Sequence, residues 1–259
     1  MNQTFNINRF SMLFKKHTLE NYKTYLMSVG VLAGLLVLFM GIASYANDGY
    51  LLLGFQEAFF VIFLLLAGCI FTSLVFADLG DKKKAIPALT LPASHFEKYL
   101  VSWLYSFLIF QLLYVALFYL IAALIISFGH DVPGRENVLL DLFDKDRMAY
   151  MAFVLYPFIH SVILFGAIYF EKLHFIKTGF AFFTGIFLLG LLNRPIISSM
   201  IDETIRGTTI FSPLDITDGK NYWTIFPPEI QKQTIGIVLG IIVVILWVSA
   251  YFRLKEKEV

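Results

Sequence analysis

Cysteine and charge are scarce in this chain of 259 residues. The single cysteine, Cys69, lies inside an apolar stretch and cannot form an internal disulfide. Charged residues make up 15% of the sequence, against 58% hydrophobic residues that include 28 phenylalanines. A composition this poor in charge and this rich in apolar residues indicates a membrane protein and argues against a soluble domain.

Recognisable catalytic motifs are also missing. The sequence has no G-x-x-x-x-G-K-[ST] phosphate loop, no H-E-x-x-H and no G-x-S-x-G. Its five histidines are scattered rather than placed at metal-ligand spacing. We therefore predict no catalytic residue, no metal site, no cofactor and no enzymatic activity in this chain, and no nucleic-acid partner.

Six long apolar stretches are what the sequence does contain. They cover residues 25–46, 54–77, 103–128, 148–170, 176–192 and 234–252. Most match the ~20 apolar residues that cross ~30 Å of hydrocarbon, where only helices satisfy their own backbone. The predicted fold class is all-α: one polytopic membrane domain over residues 1–259 with six transmembrane helices, the first expected to be retained rather than cleaved.

The distribution of Lys and Arg predicts the orientation. Thirteen of the twenty lie at or near four segments: before the first span, between the second and third, between the fourth and fifth, and after the sixth. Because cytoplasmic segments carry the excess of Lys and Arg, both termini are expected in the cytoplasm.

Few polar residues fall within the spans. The notable ones are Glu57, Gln111, His160 and Ser161, and we regard Glu57, Gln111 and His160 as candidates for a substrate path. His160 has a second interpretation, because it follows Pro157 by three residues and a neutral imidazole could fill the acceptor that proline frees. Glu57 is also close enough to the outer end of its span to reach the interface.

Glycines mark faces where helices could approach closely. Gly30, Gly34 and Gly41 share one face of the first span, and Gly236 and Gly240 form a small-xxx-small pair in the sixth. Packing within the chain and contact between two chains are both compatible with this pattern.

The connection between the second and third spans is the most informative polar segment. Ser94 and Glu97 have the S-x-x-E spacing of a capping box, so a new helix is expected to start at Ser94, directly after Pro92. Residues 82–91 before it are long enough for a short helix at the membrane surface. The three lysines at 82–84 would suit anionic headgroups, but headgroup binding does not account for the apolar stretch at 85–91.

This connection resembles the first cytoplasmic loop of ABC-2-type permeases, the membrane subunits of type-2 ABC exporters. The resemblance is carried by Phe76-x-Asp78…Lys82-Lys83-Lys84…Leu89-Thr-Leu-Pro-Ala-Ser94-x-x-Glu97-Lys-Tyr-Leu100. In that family the loop holds the coupling helix that seats on the ATPase subunit. By resemblance, the coupling residues here are Lys82, Lys83, Lys84, Ile86, Pro87, Leu91, Pro92, Ser94 and Glu97.

The same resemblance implies partners and location. It implies a permease that forms the substrate path as a homodimer or with a related permease, driven by separate cytoplasmic ABC ATPase subunits in a bacterial inner membrane. The N-terminal segment, with Ile7, Phe10, Leu13 and Phe14 near one helical face, fits an interfacial amphipathic helix. Similar exporters also place short helices in the outer segment 193–233, where Ile196, Ile197, Met200, Ile201 and Ile205 favour an amphipathic helix and Phe226-Pro-Pro228 favours a turn.

Two other classes of function stay open from the residues alone. One is a secondary transporter or channel that works without an ATPase, with His160 and Glu57 on its ion pathway. The other is a membrane module without a transport role, such as a sensor or assembly factor.

Overall fold

The computed structural model describes residues 5–80, 93–129, 137–144, 147–170, 173–200, 204–206, 214–218, 221–225 and 228–256. Its helices are α1 (Ile7–Tyr45), α2 (Leu53–Gly80), α3 (His95–Trp103), a π-helical turn (Leu104–Ile109), α4 (Phe110–Phe128), α5 (Met148–Tyr169), α6 (His174–Met200) and α7 (Pro228–Glu256). Among these residues, six helices are long and apolar enough to cross a membrane, counting α3, the π-helical turn and α4 as one. The prediction of six helices that could span a membrane is thereby confirmed, and the chain fits a multi-pass membrane protein.

Helix α1 is longer than a single membrane crossing requires. Its 39 residues extend over ~58 Å at 1.5 Å per residue, about twice the hydrocarbon thickness. The side chain of Asn6 caps its start by accepting the N–H groups of Asn8 and Arg9 at 2.9 and 3.3 Å. The amphipathic N-terminal segment and the first span are therefore parts of one helix, and the interfacial position of the segment stays a prediction.

The core lies where α2, α4 and α5 meet. Phe60 of α2, Tyr114 and Phe118 of α4, and Tyr156 of α5 are fully buried. The ring of Phe60 meets that of Phe118 edge-on at 5.0 Å, and the hydroxyl of Tyr114 donates to the carbonyl of Phe60 at 2.8 Å. Because lipid is as apolar as these side chains, their close packing and satisfied polar groups hold the bundle together.

Helix α6 packs mainly on α5 and has a largely exposed apolar surface. Phe180, Phe183 and Phe187 are 74%, 71% and 64% exposed. The helix continues through Pro195 to Met200, so the prediction of a separate short helix around Ile196 is wrong. A proline within a helix removes one backbone hydrogen bond, a loss that an apolar helix in lipid tolerates.

A small antiparallel sheet, which the sequence analysis did not predict, follows α6. It consists of β1 (Thr204–Arg206), β2 (Leu214–Asp218) and β3 (Asn221–Ile225), in the order β1-β2-β3. The predicted amphipathic helix does not reach Ile205, which lies in β1 and pairs with Ile216. Helix α7 begins at Pro228, a favoured first helical position because proline lacks an N–H that would otherwise be unpaired there.

Helices α5 and α6 approach closely at Gly166, which yields a first testable prediction. A Cβ atom on Gly166 would overlap the side chain of Thr178, whereas nothing lies within 4 Å of a Cβ atom on Gly179. We expect Gly166→Ala to lower the free energy of unfolding by about 1–3 kcal/mol, because the two helices must separate. Gly179→Ala, the matched control, should be neutral or stabilise the helix by up to about 1 kcal/mol. Unfolding in mixed micelles measures both, and equal stabilities would show that the helices do not touch here.

Candidate functional site

The start of α3 is joined to the start of α1 through the carboxylate of Glu97. Its Oε1 atom accepts the N–H of Asn6 at 2.7 Å and a guanidinium N–H of Arg9 at 3.0 Å. Its Oε2 atom accepts the N–H of Ser94 at 2.8 Å, and the Oγ atom of Ser94 accepts the N–H of Glu97 at 3.2 Å. The predicted capping box is thus present, and the same carboxylate also binds a segment 88 to 91 residues away in sequence.

Glu97 is completely buried, whereas the side chain of Arg9 is 28% exposed. A buried carboxylate is stable only when charge and hydrogen bonds replace the water it has lost. Two backbone N–H groups and one guanidinium supply this replacement. We call the group Asn6, Arg9, Ser94 and Glu97 the α1–α3 junction.

Aromatic rings extend the α1–α3 junction to the end of α7. Phe96 contacts Phe5 edge-on at 6.1 Å and Tyr251 edge-on at 5.9 Å. One turn later, the hydroxyl of Tyr99 donates to the carbonyl of Trp247 at 3.0 Å. The start of α3 is therefore held between α1 and α7.

The structure describes only part of the predicted coupling segment. Ser94 and Glu97 lie in the α1–α3 junction. The other coupling residues, Lys82, Lys83, Lys84, Ile86, Pro87, Leu91 and Pro92, lie outside the described residues.

A second polar cluster lies inside the bundle around His160, which is 1% exposed. The Nε1–H of Trp247 donates to Nδ1 of His160 at 3.2 Å, and Nε2 of His160 lies 2.9 Å from Oγ of Ser106. Because an indole N–H can only donate, Nδ1 must be the acceptor, and the proton of the neutral ring is on Nε2. Ser106 in turn donates to the carbonyl of Trp103 at 3.3 Å. This chain of donors and acceptors joins α5, α7 and the helix that begins at α3.

The π-helical turn positions Ser106 in this cluster. The N–H of Phe110 donates to the carbonyls of Tyr105 and Phe107 rather than to Ser106, four residues earlier. The carbonyl of Ser106 accepts the hydroxyl of Tyr156 at 2.8 Å instead. Such π-helical turns are frequent at functional sites, and this one is stabilised by a side chain from a neighbouring helix.

The pair of Ser106 and His160 is not a nucleophile with its base. Nε2 of His160 carries the ring proton and points it at the serine oxygen, so it has no lone pair to accept the serine proton. Both ring nitrogens are occupied by Ser106 and Trp247, so the imidazole does not fill the acceptor freed by Pro157. The contacts of this cluster join helices.

The other candidate path residues lie elsewhere. Oε1 of Glu57 accepts the N–H of Ala149, in the first turn of α5, at 3.2 Å. The partial positive charge at the start of a helix stabilises a carboxylate in this position. Gln111 is half-buried on α4, directly after Phe110. The structure does not join Glu57 or Gln111 to His160 by a hydrogen bond among its described residues.

Gln56, which the sequence analysis overlooked, is the buried polar residue next to Glu57. Its amide donates to the carbonyls of Leu51 and Val138 at 3.1 and 3.0 Å and accepts the N–H of Leu140 at 3.0 Å. It therefore ties the α1–α2 connection to the segment that precedes α5. A polar residue near the end of a span, beside a predicted outer connection, is the only sequence signal for this role.

The glycine faces of α1 and α7 are not used for packing within the described part of the chain. A Cβ atom on any of the five glycines would meet nothing within 4 Å. These glycines are Gly30, Gly34, Gly41, Gly236 and Gly240. Of the two interpretations in the sequence analysis, packing within the chain does not apply among the described residues.

Comparison with protein-family models, with characterised proteins and with solved structures finds no match to this chain. Among the described residues there is also no group of three or more His, Cys, Asp or Glu placed to hold a metal ion. The features of the structure that bear on function are therefore the α1–α3 junction, the cluster around His160 and the arrangement of the six long helices.

Proposed function

We propose that this chain is the permease subunit of an ATP-binding cassette exporter and forms the substrate path as a dimer, driven by separate cytoplasmic ATPase subunits. The observation that carries the proposal is the buried Glu97, which joins a capped helix start to the N-terminus of α1. In the proposed topology both termini are cytoplasmic and the membrane is a bacterial inner membrane. The α1–α3 junction then lies on the side that an ATPase would contact.

The geometry suits the transmission of movement. From His95 to Phe128 the chain forms 34 continuous helical residues, which extend over ~50 Å, including the π-helical turn. Residues 82–91 come directly before the start of this helix in the sequence. A push on them would therefore reach the helix at Ser94. Through Glu97 and Arg9 the same movement would reach α1, so that both helices tilt together.

The polar groups inside the bundle favour this proposal over a transporter that carries its own ion pathway. Both ring nitrogens of His160 are bound by Ser106 and Trp247, and Glu57 binds the start of α5. Groups with these structural partners are poorly placed to take up and release an ion in each transport cycle.

Isolation of the intact complex tests the proposed partner. The chain is purified from native membranes in mild detergent, and the co-purifying proteins are identified and assayed for ATP hydrolysis. Recovery of a partner bearing G-x-x-x-x-G-K-[ST] supports the proposal. Recovery of the chain alone, under conditions that preserve known ABC complexes, contradicts it.

Charge reversal in the coupling segment separates coupling from assembly. We expect Lys82→Glu, Lys83→Glu and Lys84→Glu together to reduce transport at least about tenfold, while membrane insertion is unchanged and ATP hydrolysis no longer responds to substrate. The reason is that reversed charge would repel the surface on the ATPase that these lysines contact. Lys255→Glu, an exposed lysine at the end of α7, is the matched control and should leave transport intact. Normal transport in the triple variant would rule out this docking segment.

A further inference from the structure

An open apolar groove of about 180 Å³ lies between α5, α6 and α7. Its lining includes Phe165, Gly166, Tyr169, Thr178, Ala181 and Leu246. Gly166 and Thr178, which approach each other closely, both line it, and Leu246 comes from α7. A water-sized group takes about 30 Å³, so the groove has room for roughly six such groups.

Two cations lie at one end of this groove, each over an aromatic ring that lines it. The guanidinium of Arg253 is 5.3 Å from the ring centroid of Tyr169, and Nζ of Lys177 is 5.7 Å from that of Phe170. Lys177 is exposed, and the side chain of Arg253 is 44% exposed. Arg253 also contacts Glu256 at 3.2 Å through Nη1, and its guanidinium has five N–H donors in all.

We propose that this groove binds an acidic phospholipid, with part of one acyl chain between the helices and the phosphate between Lys177 and Arg253. The apolar lining fits the chain, and the two cations fit a headgroup with net negative charge. The cations belong to the start of α6 and the end of α7, at the end of the bundle where the distribution of Lys and Arg predicts the cytoplasmic leaflet. Acidic lipids are concentrated in that leaflet.

The combination of an apolar groove with two cations over its aromatic rings distinguishes this site from an ordinary surface lysine. Lys23 also lies near an aromatic ring, with Nζ 5.9 Å from the centroid of Tyr22, but neither residue lines this groove. Lys23 is therefore a matched control for a cation over an aromatic ring at the same end of the bundle. The proposal does not depend on an ATPase partner, so it can fail or hold independently of the proposed function.

Native mass spectrometry of the full chain in detergent tests the proposal. The chain is titrated with palmitoyl-oleoyl phosphatidylglycerol and, separately, with the phosphatidylcholine of the same acyl chains. We expect the first phosphatidylglycerol to bind more tightly than phosphatidylcholine by about fivefold for each cation, or roughly twenty-five-fold for both. Lys177→Gln with Arg253→Gln should abolish this preference, and Lys23→Gln should leave it unchanged.

Two further measurements separate the lipid from other sources of the signal. Ala181→Trp, which places a large side chain in the groove without changing charge, should weaken phosphatidylglycerol binding at least about tenfold. Glycerol phosphate, which has the anion but no acyl chain, should not compete at a hundredfold excess. Competition by glycerol phosphate, undiminished binding in Ala181→Trp, or an equal loss in Lys23→Gln would each overturn the proposal.

Discussion

Replacement of Glu97 by alanine is expected to lower the free energy of unfolding by about 3–5 kcal/mol, the range observed when one partner of a buried ion pair is removed. The carboxylate is fully buried and accepts the N–H groups of Asn6 and Ser94 as well as the guanidinium of Arg9. Its removal leaves all three donors without their acceptor. Unfolding in mixed micelles, followed by tryptophan fluorescence, measures the change.

Smaller variants separate the contributions at the α1–α3 junction. Ser94→Ala removes one cap and should cost about 1 kcal/mol. Arg9→Gln should cost less than Glu97→Ala, because Glu97 keeps the two backbone donors. A double-mutant cycle of Arg9→Gln and Glu97→Gln isolates the ion pair, and a coupling energy near zero would contradict the contact between α1 and α3.

Replacement of His160 by alanine is expected to lower the free energy of unfolding by about 2–4 kcal/mol. The change leaves a buried cavity and removes the partner of both Trp247 and Ser106. Ser106→Ala, which removes the two hydrogen bonds of the serine hydroxyl and little volume, is the control and should cost about 0.5–2 kcal/mol.

The tautomer of His160 is a second readout of the same cluster. Nitrogen NMR of the ¹⁵N-histidine-labelled protein should show a protonated Nε2 and an unprotonated Nδ1, because Trp247 donates to Nδ1. In Trp247→Phe the constraint on Nδ1 is lost, and the two tautomers should become mixed. A proton on Nδ1 in the unaltered protein would contradict the hydrogen-bond chain described above.

The elements that depend on local sequence could be predicted. The six spans follow from apolar length, and the helix start at Ser94 follows from a serine and a glutamate three residues apart. Both signals are confined to a short stretch of chain, so they are readable without knowledge of packing.

The contacts between distant residues could not be predicted. Arg9 is 88 residues from Glu97, and Trp247 is 87 residues from His160, so no spacing rule connects them. The continuation of α6 beyond Pro195 also depends on its surroundings, since proline usually ends a helix in water.

The small sheet did leave a signal in the sequence. Asp218-Gly-Lys-Asn221 has an Asp-Gly pair at the connection of β2 and β3, flanked by Ile216, Thr217, Tyr222 and Trp223. Such a pair between β-branched and aromatic residues is typical of a hairpin. The strands have only three to five residues, so this signal is weak beside the helical patterns in the rest of the chain.

The sequence separation within the α1–α3 junction has a consequence for biosynthesis. At 5–20 residues per second, a ribosome needs roughly 4–18 s to synthesise the 88 residues between Arg9 and Glu97. The rest of α1 and all of α2 are synthesised within that interval, while the start of α1 still lacks the carboxylate that will hold it. The start of the first helix therefore makes this contact only after the third span has begun to emerge, although the first helix is synthesised before the other spans.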